Sequence, residues 1–190
     1  MPKIVDHEER RRAIASAAVD TIAEHGLEGA RLADIARAAG VTTGAIAHFF
    51  PDKDAVLAAA LEEVCTRLML HIGPPEGLPS FEDIAETLPL CDESRREWRV
   101  WLAYWGRAPY SEKLRQIHTQ YYLDIETALA DQLARLTDAP RDLAAAIIAA
   151  IDGIGTRATL EPECWPPERQ RAMLKLMLSP LIDPLQLPDT

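Results

Sequence analysis

The part of this chain with the most chemistry in the least space runs from Leu32 to Lys53, LADIARAAGVTTGAIAHFFPDK. Thr42 and Thr43 bring adjacent hydroxyls, His48 an imidazole, and Arg31 and Lys53 positive charge at either side. Gly44 and Ala45 are small enough to let a backbone approach another surface closely. Hydroxyls, an imidazole and cations are the groups that bond phosphate oxygens and base edges. They are not a set for turnover. The chain has no HExxH, no GxSxG, no phosphate loop and no readable Ser/His/Asp grouping, so an enzyme is not expected and no cofactor is implied.

The elements that must position these residues are two short helices. Leu32, Ile35 and Ala36 define the inner face of the first, and Ala39-Gly40-Val41 turns the chain. Thr42 is a good N-cap for the second, with Ile46 and Phe50 pointing inward at i and i+4. A helix, a glycine-bearing turn and a capped helix make a helix-turn-helix. The plain alternative is an ordinary helical hairpin. A longer helix precedes them over Glu9 to His25, with Ile14, Ala18, Ile22 and Ala23 at helical spacing and Gly26 as its C-terminal cap. Its Arg10-Arg11-Arg12 run, centred on Arg11, suits a phosphate backbone, the alternative being a solvated helix start.

Across about residues 8–57 the chain resembles the TetR/AcrR family of transcriptional regulators. The resemblance rests on Glu24-His25-Gly26-Leu27, Asp34-Ile35-Ala36, Ala39-Gly40-Val41, Gly44 and Phe50-Pro51-Asp52-Lys53. His48-Phe49-Phe50 after Ala47, the opening PKIVDHEERRR and the run from Trp101 to Trp105 are similar to the BetI-like branch. The resemblance implies a ligand-responsive regulator, most often a repressor. It would bind a near-palindromic double-stranded operator as a homodimer and leave it when a small-molecule inducer binds. An activator, or a constitutive DNA-binding dimer with no ligand, is the alternative. The Thr42–Phe49 helix would enter the major groove, with Thr42, Thr43 and Lys53 on phosphates, Gly44 and Ala45 near bases, and His48 on phosphate or a base edge. Two positions depart from the family. Ala47 stands where most members carry Tyr, so His48 and Phe49 would have to supply that phosphate contact. Arg31 stands where many carry Thr or Ser, which adds a cation and removes a cap.

Fourteen prolines punctuate the rest into helical segments, and no alternating stretch with a hairpin turn signals a strand. The fold class expected is all-α. A three-helix DNA-binding domain over 1–55 precedes a helical ligand-binding and dimerisation domain over 56–190. The stretch from Gly73 to Pro79 reads as a loop, and the residues beyond Pro180 read as a frayed tail. By resemblance, helices near 141–161 and 167–178 make the dimer contact. Trp98, Trp101 and Trp105 share one helix face, and His118, Tyr121, Tyr122 and Ile125 form a stripe on the next. Such stripes are either aromatic core or the wall of a ligand cavity, where aromatic faces can hold a quaternary ammonium. Asp152 interrupts an apolar helix and must be paired, ligand-facing or at an interface. Gly153 and Gly155 beside it suggest close helix approach. His71 and His118 lack partners at metal-ligand spacing, and Cys65, Cys91 and Cys164 form no CxxC, so neither a metal nor a disulfide framework is expected.

The net charge is −10, from 20 Lys and Arg against 30 Asp and Glu. Residues 1–55 hold seven cations and nine acids, and the remainder thirteen and twenty-one, so the acidity belongs mainly to the second module. That balance excludes a protein that coats nucleic acid by bulk charge, but not a small reading surface on an acidic body. No apolar run reads as a membrane span and the opening residues do not read as a signal sequence, so a cytoplasmic protein is expected.

Overall fold

A computed structural model describes residues 7–71 and 79–182, and every regular element in them is helical. In order these are α1 (His7–Gly29), α2 (Leu32–Ala38), α3 (Thr43–Phe49), α4 (Lys53–His71), α5 (Phe81–Ala85) and α6 (Asp92–Arg107). A 3-10 turn (Ala108–Tyr110) then leads to α7 (Glu112–Leu133), α8 (Pro140–Leu160) and α9 (Pro167–Ile182). The all-α class is as expected. The 73–79 loop (Pro79 apart), the tail from residue 183 and the His71 side chain lie outside the described residues. Packing divides the chain into two units, Met1–Thr66 with Arg99–Ile117, and Arg67–Trp98 with His118–Thr190.

The first unit is built around α1. Ile14, Ala18, Val19 and Ile22 are buried along one face. The break expected at Gly26 is present, at φ 68°, but one further turn follows to Gly29. α1 packs on α2, and α2 on α3. The α2–α3 turn is a Schellman motif. Val41 N–H donates to Ala36 O at 2.9 Å and Gly40 N–H to Arg37 O at 3.2 Å, with Gly40 at φ 66°. A side chain at residue 40 would be strained in that left-handed conformation. Arg31 gives α2 no side-chain cap, as its type implies. Further on, the Asp52 carboxylate accepts the Ala55 N–H at 2.6 Å and so caps α4. Asp54 accepts from Arg107 Nε at 3.1 Å and from Ser111 Oγ at 3.0 Å, fixing the start of α4 to the 3-10 turn. Tyr104 is fully buried and its hydroxyl donates to Leu114 O.

The second unit centres on α8. Leu143, Ala144, Ile147, Ala150, Ile154 and Ala158 pack with Leu129 and Leu133 of α7, Leu174 and Leu178 of α9, and Ile84 and Leu88 around α5. α5 carries a capping box: Ser80 Oγ accepts the Asp83 N–H, and the Asp83 carboxylate accepts the Ser80 N–H. Two expectations are corrected here. α8 is long and apolar enough, by length and composition, to cross a membrane, contrary to the sequence reading. Its buried stripe makes it the central packing helix of this unit. α9 also continues through Pro180 to Ile182. Proline there removes one bond, the residue-180 N–H to the Leu176 carbonyl, and only two helical residues follow it.

Close approach occurs at Gly155 but not at Gly153. A Cβ added at Gly155 would stand 2.1 Å from Trp98 Cη2, whereas nothing lies within 4 Å of one at Gly153. Trp98 is itself held, its indole N–H donating to Thr87 O at 2.9 Å. Gly155→Ala therefore has to displace an anchored ring, and is expected to cost about 1–3 kcal/mol. Gly106→Ala, on α6 with open space around its Cβ, is expected to gain a few tenths of a kcal/mol or more. Thermal unfolding of the two variants should give shifts of opposite sign.

Candidate nucleic-acid interface

α3 has seven residues and two unlike faces. Ile46 is fully buried and Phe50, just past its end, is 3% exposed. These side chains anchor the helix in the unit. Thr42, Thr43, Gly44, Ala47 and His48 are exposed, while Ala45 and Phe49 are half-buried. Thr42 is the N-cap as expected, its Oγ accepting the Ala45 N–H at 3.2 Å. A hydroxyl that accepts in this way keeps its own hydrogen to donate outward. Of the sequence-predicted residues, Thr42, Thr43, Gly44 and His48 lie on the exposed surface, and Ala45 and Phe49 flank it half-buried. It carries hydroxyl donors, an imidazole and two residues of minimal bulk.

The cations are less available than the sequence suggests. Arg11 Nη2 lies 2.8 Å from Glu62 Oε2, and its guanidinium sits over the Phe50 ring at 5.8 Å. It ties α1 to α4. The signal was in the periodicity, since Arg11 falls three residues before Ile14 and seven before Ala18, on the inner side of α1. Arg10 and Arg12 are exposed. Lys53 Nζ donates to Leu27 O and Glu28 O, both at 3.2 Å, at the C-terminal end of α1. A cation suits those carbonyls, which have no partner along the helix. An ammonium has three donors, so one remains for another acceptor. Arg37 pairs with Asp34 at 2.8 Å, and Arg31 is exposed. One neighbour was missed altogether. The exposed His7, in the first turn of α1, lies against Phe49 with ring centroids 4.4 Å apart.

The residues expected to hold a ligand fall into two groups. Trp101 and Trp105 belong to the first unit, with ring centroids 5.7 Å apart; Trp101 is buried and Trp105 half-buried. Trp98, His118, Tyr121, Tyr122 and Asp152 belong to the second. There Trp98 packs on Gly155, and the half-buried Tyr121 lies on α7. His118, Tyr122 and Asp152 form a chain of contacts between α7 and α8. The His118 and Tyr122 rings stand 4.3 Å apart, and Tyr122 Oη donates to Asp152 Oδ2 at 2.8 Å. Burial pushes the Asp152 carboxyl up to about 6, against the opposing pull of the Tyr122 hydrogen bond. Burial likewise holds the His118 imidazole below its usual range. A cleft of about 550 Å³ opens elsewhere in this unit, beside Arg67, Thr87, Cys91, Glu97 and Arg171, and includes none of the expected ligand residues. The three cysteines are unpaired. No group of three metal-ligating side chains gathers among the described residues.

Outward faces of α8 and α9 carry apolar residues. Ala145, Ala146, Ala149 and Gly153 are exposed along α8, with Leu160 68% exposed at its end. Leu176 is 66% exposed and Met177 44% exposed on α9.

Known proteins agree with this arrangement. Residues 14–60 match the family described as bacterial regulatory proteins of the tetR family. Residues 83–183 match the C-terminal domain of the BetI-type transcriptional repressors. The HTH-type transcriptional regulator PksA of Bacillus subtilis is 31% identical over 176 residues, covering 85% of this chain and 84% of that protein. The HTH-type transcriptional regulator BetI of Klebsiella pneumoniae is 33% identical over 176 residues, covering 84% and 87%. A crystal structure of a transcriptional regulator from Rhodococcus sp. Rha1 superposes with a TM-score of 0.81 at 29% identity, covering 94% of this chain and 99% of that one. A helix-turn-helix module followed by a BetI-type C-terminal domain places this chain in the TetR family of DNA-binding transcriptional regulators.

Proposed function

We propose that the protein is a homodimeric repressor that binds a near-palindromic operator through α3 and is released by a small-molecule effector bound in the second unit. The observation that carries the DNA-reading part is the two-faced α3, with Ile46 and Phe50 holding it from below and Thr42, Thr43, Gly44 and His48 exposed above. In this reading 1–55 is the DNA-binding domain and 56–190 the effector and dimerisation domain. The protein acts in the cytoplasm, where its operator is. Thr42 and Thr43 donate to phosphates, with Arg10, Arg12 and Arg31 near the backbone. Gly44, Ala45 and His48 face the bases. Two copies are needed because one short helix offers too little contact, and their separation fixes the half-site spacing near one turn of DNA or a multiple.

The exposed small residues of α8 and the exposed Leu176 and Met177 of α9 support those helices as the dimer face. Apolar side chains on a helix surface are stabilised when a second copy covers them. For the effector, Asp152 is the informative group. A half-buried carboxylate with a tyrosine hydroxyl as its hydrogen-bond partner favours a ligand that brings positive charge, and the neighbouring rings suit an amine or quaternary ammonium. Repression is relieved only to the extent that the ligand binds the DNA-incompetent dimer better.

Three measurements test this reading. Lys53→Ala is expected to weaken binding to specific and random duplexes alike and to lower the salt slope by about one. It should also lower the unfolding temperature, because the α1 carbonyls lose their cation; an unchanged salt slope removes the phosphate role. Leu176→Glu is expected to give a monomer in sedimentation velocity and to abolish operator binding, and an intact dimer excludes α9 from the interface. For Asp152, burial pushes the folded carboxyl up to about 6 from an ordinary 3.8. Its neutral form is favoured by the fold, so the stabilisation is complete below the unfolded value and is lost as pH rises through 6. Asp152→Asn should therefore unfold at least about 2–4 °C higher than the wild type at pH 8, an advantage that shrinks toward pH 5. It should also lose any thermal shift that cationic amines give the wild type, while neutral aromatics give neither protein a shift.

A further inference from the structure

We propose that His7 is a positioning residue for the DNA-reading helix, holding the His48 imidazole and the Phe49 ring in the orientation that meets DNA. This rests on the DNA-reading role proposed above.

The inference comes from what the end of α3 lacks. Its N-terminal end is fixed by the Thr42 cap, and its middle by the buried Ile46. Its last turn carries Ala47, His48 and Phe49, none of them buried. His48 is the largest hydrogen-bonding side chain on the outer face, so its direction decides what the helix can read. An exposed imidazole on the last turn of a seven-residue helix has no packing of its own to hold it.

Rings supply that packing. His7 lies 4.4 Å from Phe49 with the planes tilted by 47°, and 5.9 Å from His48 edge to face, at 75°. His48 and Phe49 are 5.6 Å apart, also edge to face, at 78°. Three rings from two helices thus make one closed set, each within contact range of the other two. Phe49 continues the set inward, 6.3 Å from the buried Phe50 ring. His7 is therefore joined through Phe49 to the anchored part of the unit, and through its own edge contact to the reading side chain. α1 sets its place, because residue 7 falls on the same helical side as Arg11, Ile14 and Ala18. That side carries the Arg11–Glu62 pair and the buried core of α1. His7 is exposed, so removing it leaves the core intact.

The test uses the full-length dimer and the duplex that the wild type recovers from a random 30-base-pair library, with a scrambled duplex as control. Ring contacts of this kind contribute about 0.5–1.5 kcal/mol each, so His7→Ala is expected to weaken the recovered duplex by about 3- to 10-fold. Binding to the scrambled duplex and the salt slope should stay unchanged, while loss of the ring contacts lowers the unfolding temperature by no more than a few degrees. His7→Phe keeps a ring without a hydrogen-bonding edge, and should restore binding to within about twofold. In a His48→Ala background, His7→Ala should cost less than it does in the wild type, because one of the two groups it positions is gone.

Four results overturn the inference. One is His7→Ala binding like the wild type. Another is His7→Phe binding as weakly as His7→Ala, which makes the imidazole itself a DNA contact. A third is equal weakening on both duplexes with a reduced salt slope, which makes His7 a phosphate contact. The last is full additivity with His48→Ala. Failure of the wild type to recover any duplex is a different outcome, and removes the DNA-reading proposal together with this one.

Discussion

A helix of seven residues cannot hold itself together, and most of the first unit follows from that constraint. Isolated helices shorter than about 12–15 residues are marginal in water, because nucleation costs more than so few hydrogen bonds return. α3 also carries Gly44 near its start, which weakens it further. Its order therefore comes from outside. The Schellman turn at Gly40 delivers the chain, Thr42 satisfies an otherwise orphaned N–H, and Ile46 with Phe50 is buried against the neighbouring helices. The same few residues must supply both anchor and reading surface. Every position given to the core is lost to DNA. The exposed set that remains is short of hydrogen-bonding side chains, so in the proposed reading sequence-dependent DNA shape carries part of the specificity.

Electrostatics obey a similar division. Arg11 pairs with Glu62, Arg37 with Asp34, and Lys53 donates to two carbonyl oxygens of α1. These contacts join α1 to α4 at two places and stiffen the support of α3. They also leave a small set of exposed cations on a chain of net charge −10. Exposed pairs of this type contribute little stability each, about 0–1 kcal/mol. Their effect is geometric: they hold long side chains in fixed places. A module with near-balanced charge and several engaged cations has weak attraction for random duplex, which is why the proposed reading has two half-sites matched at once.

Much of this was legible from residue types and spacing. The all-α class, the helix-turn-helix, the Thr42 cap, the uncapped start at Arg31 and the break at Gly26 all follow from local rules that tertiary structure did not override. Tertiary partners were not legible. Nothing near Lys53 in sequence indicates that its ammonium reaches back to residues 27 and 28, and nothing near His7 points to Phe49. Arg11 is an intermediate case, since its place on the inner face of α1 follows from helical periodicity while the Glu62 partner does not. Trp98, Trp101 and Trp105 share a helix face by spacing. Spacing alone does not say that Trp98 closes onto the bare backbone of Gly155 while Trp101 and Trp105 stack in the other unit. α8 misled in a different way. Its length and apolar composition meet those of a membrane span, although Asp152, Gly153 and Gly155 interrupt the aliphatic pattern.

Those interruptions give α8 its roles. One side is packed through Leu143, Ile147, Ile154 and Ala158, and Gly155 on that side admits the Trp98 ring. The outward side carries Ala145, Ala149 and Gly153, small residues that allow another helix to approach. Asp152 meets Tyr122 from α7. A helix that is apolar on both sides needs a partner on each, and among the described residues the inner side has its partners. If the outer partner is a second copy, then core, effector carboxylate and dimer face all lie on a single helix of 21 residues. In the proposed reading, a charge that settles on Asp152 acts directly on the helix that carries the dimer face.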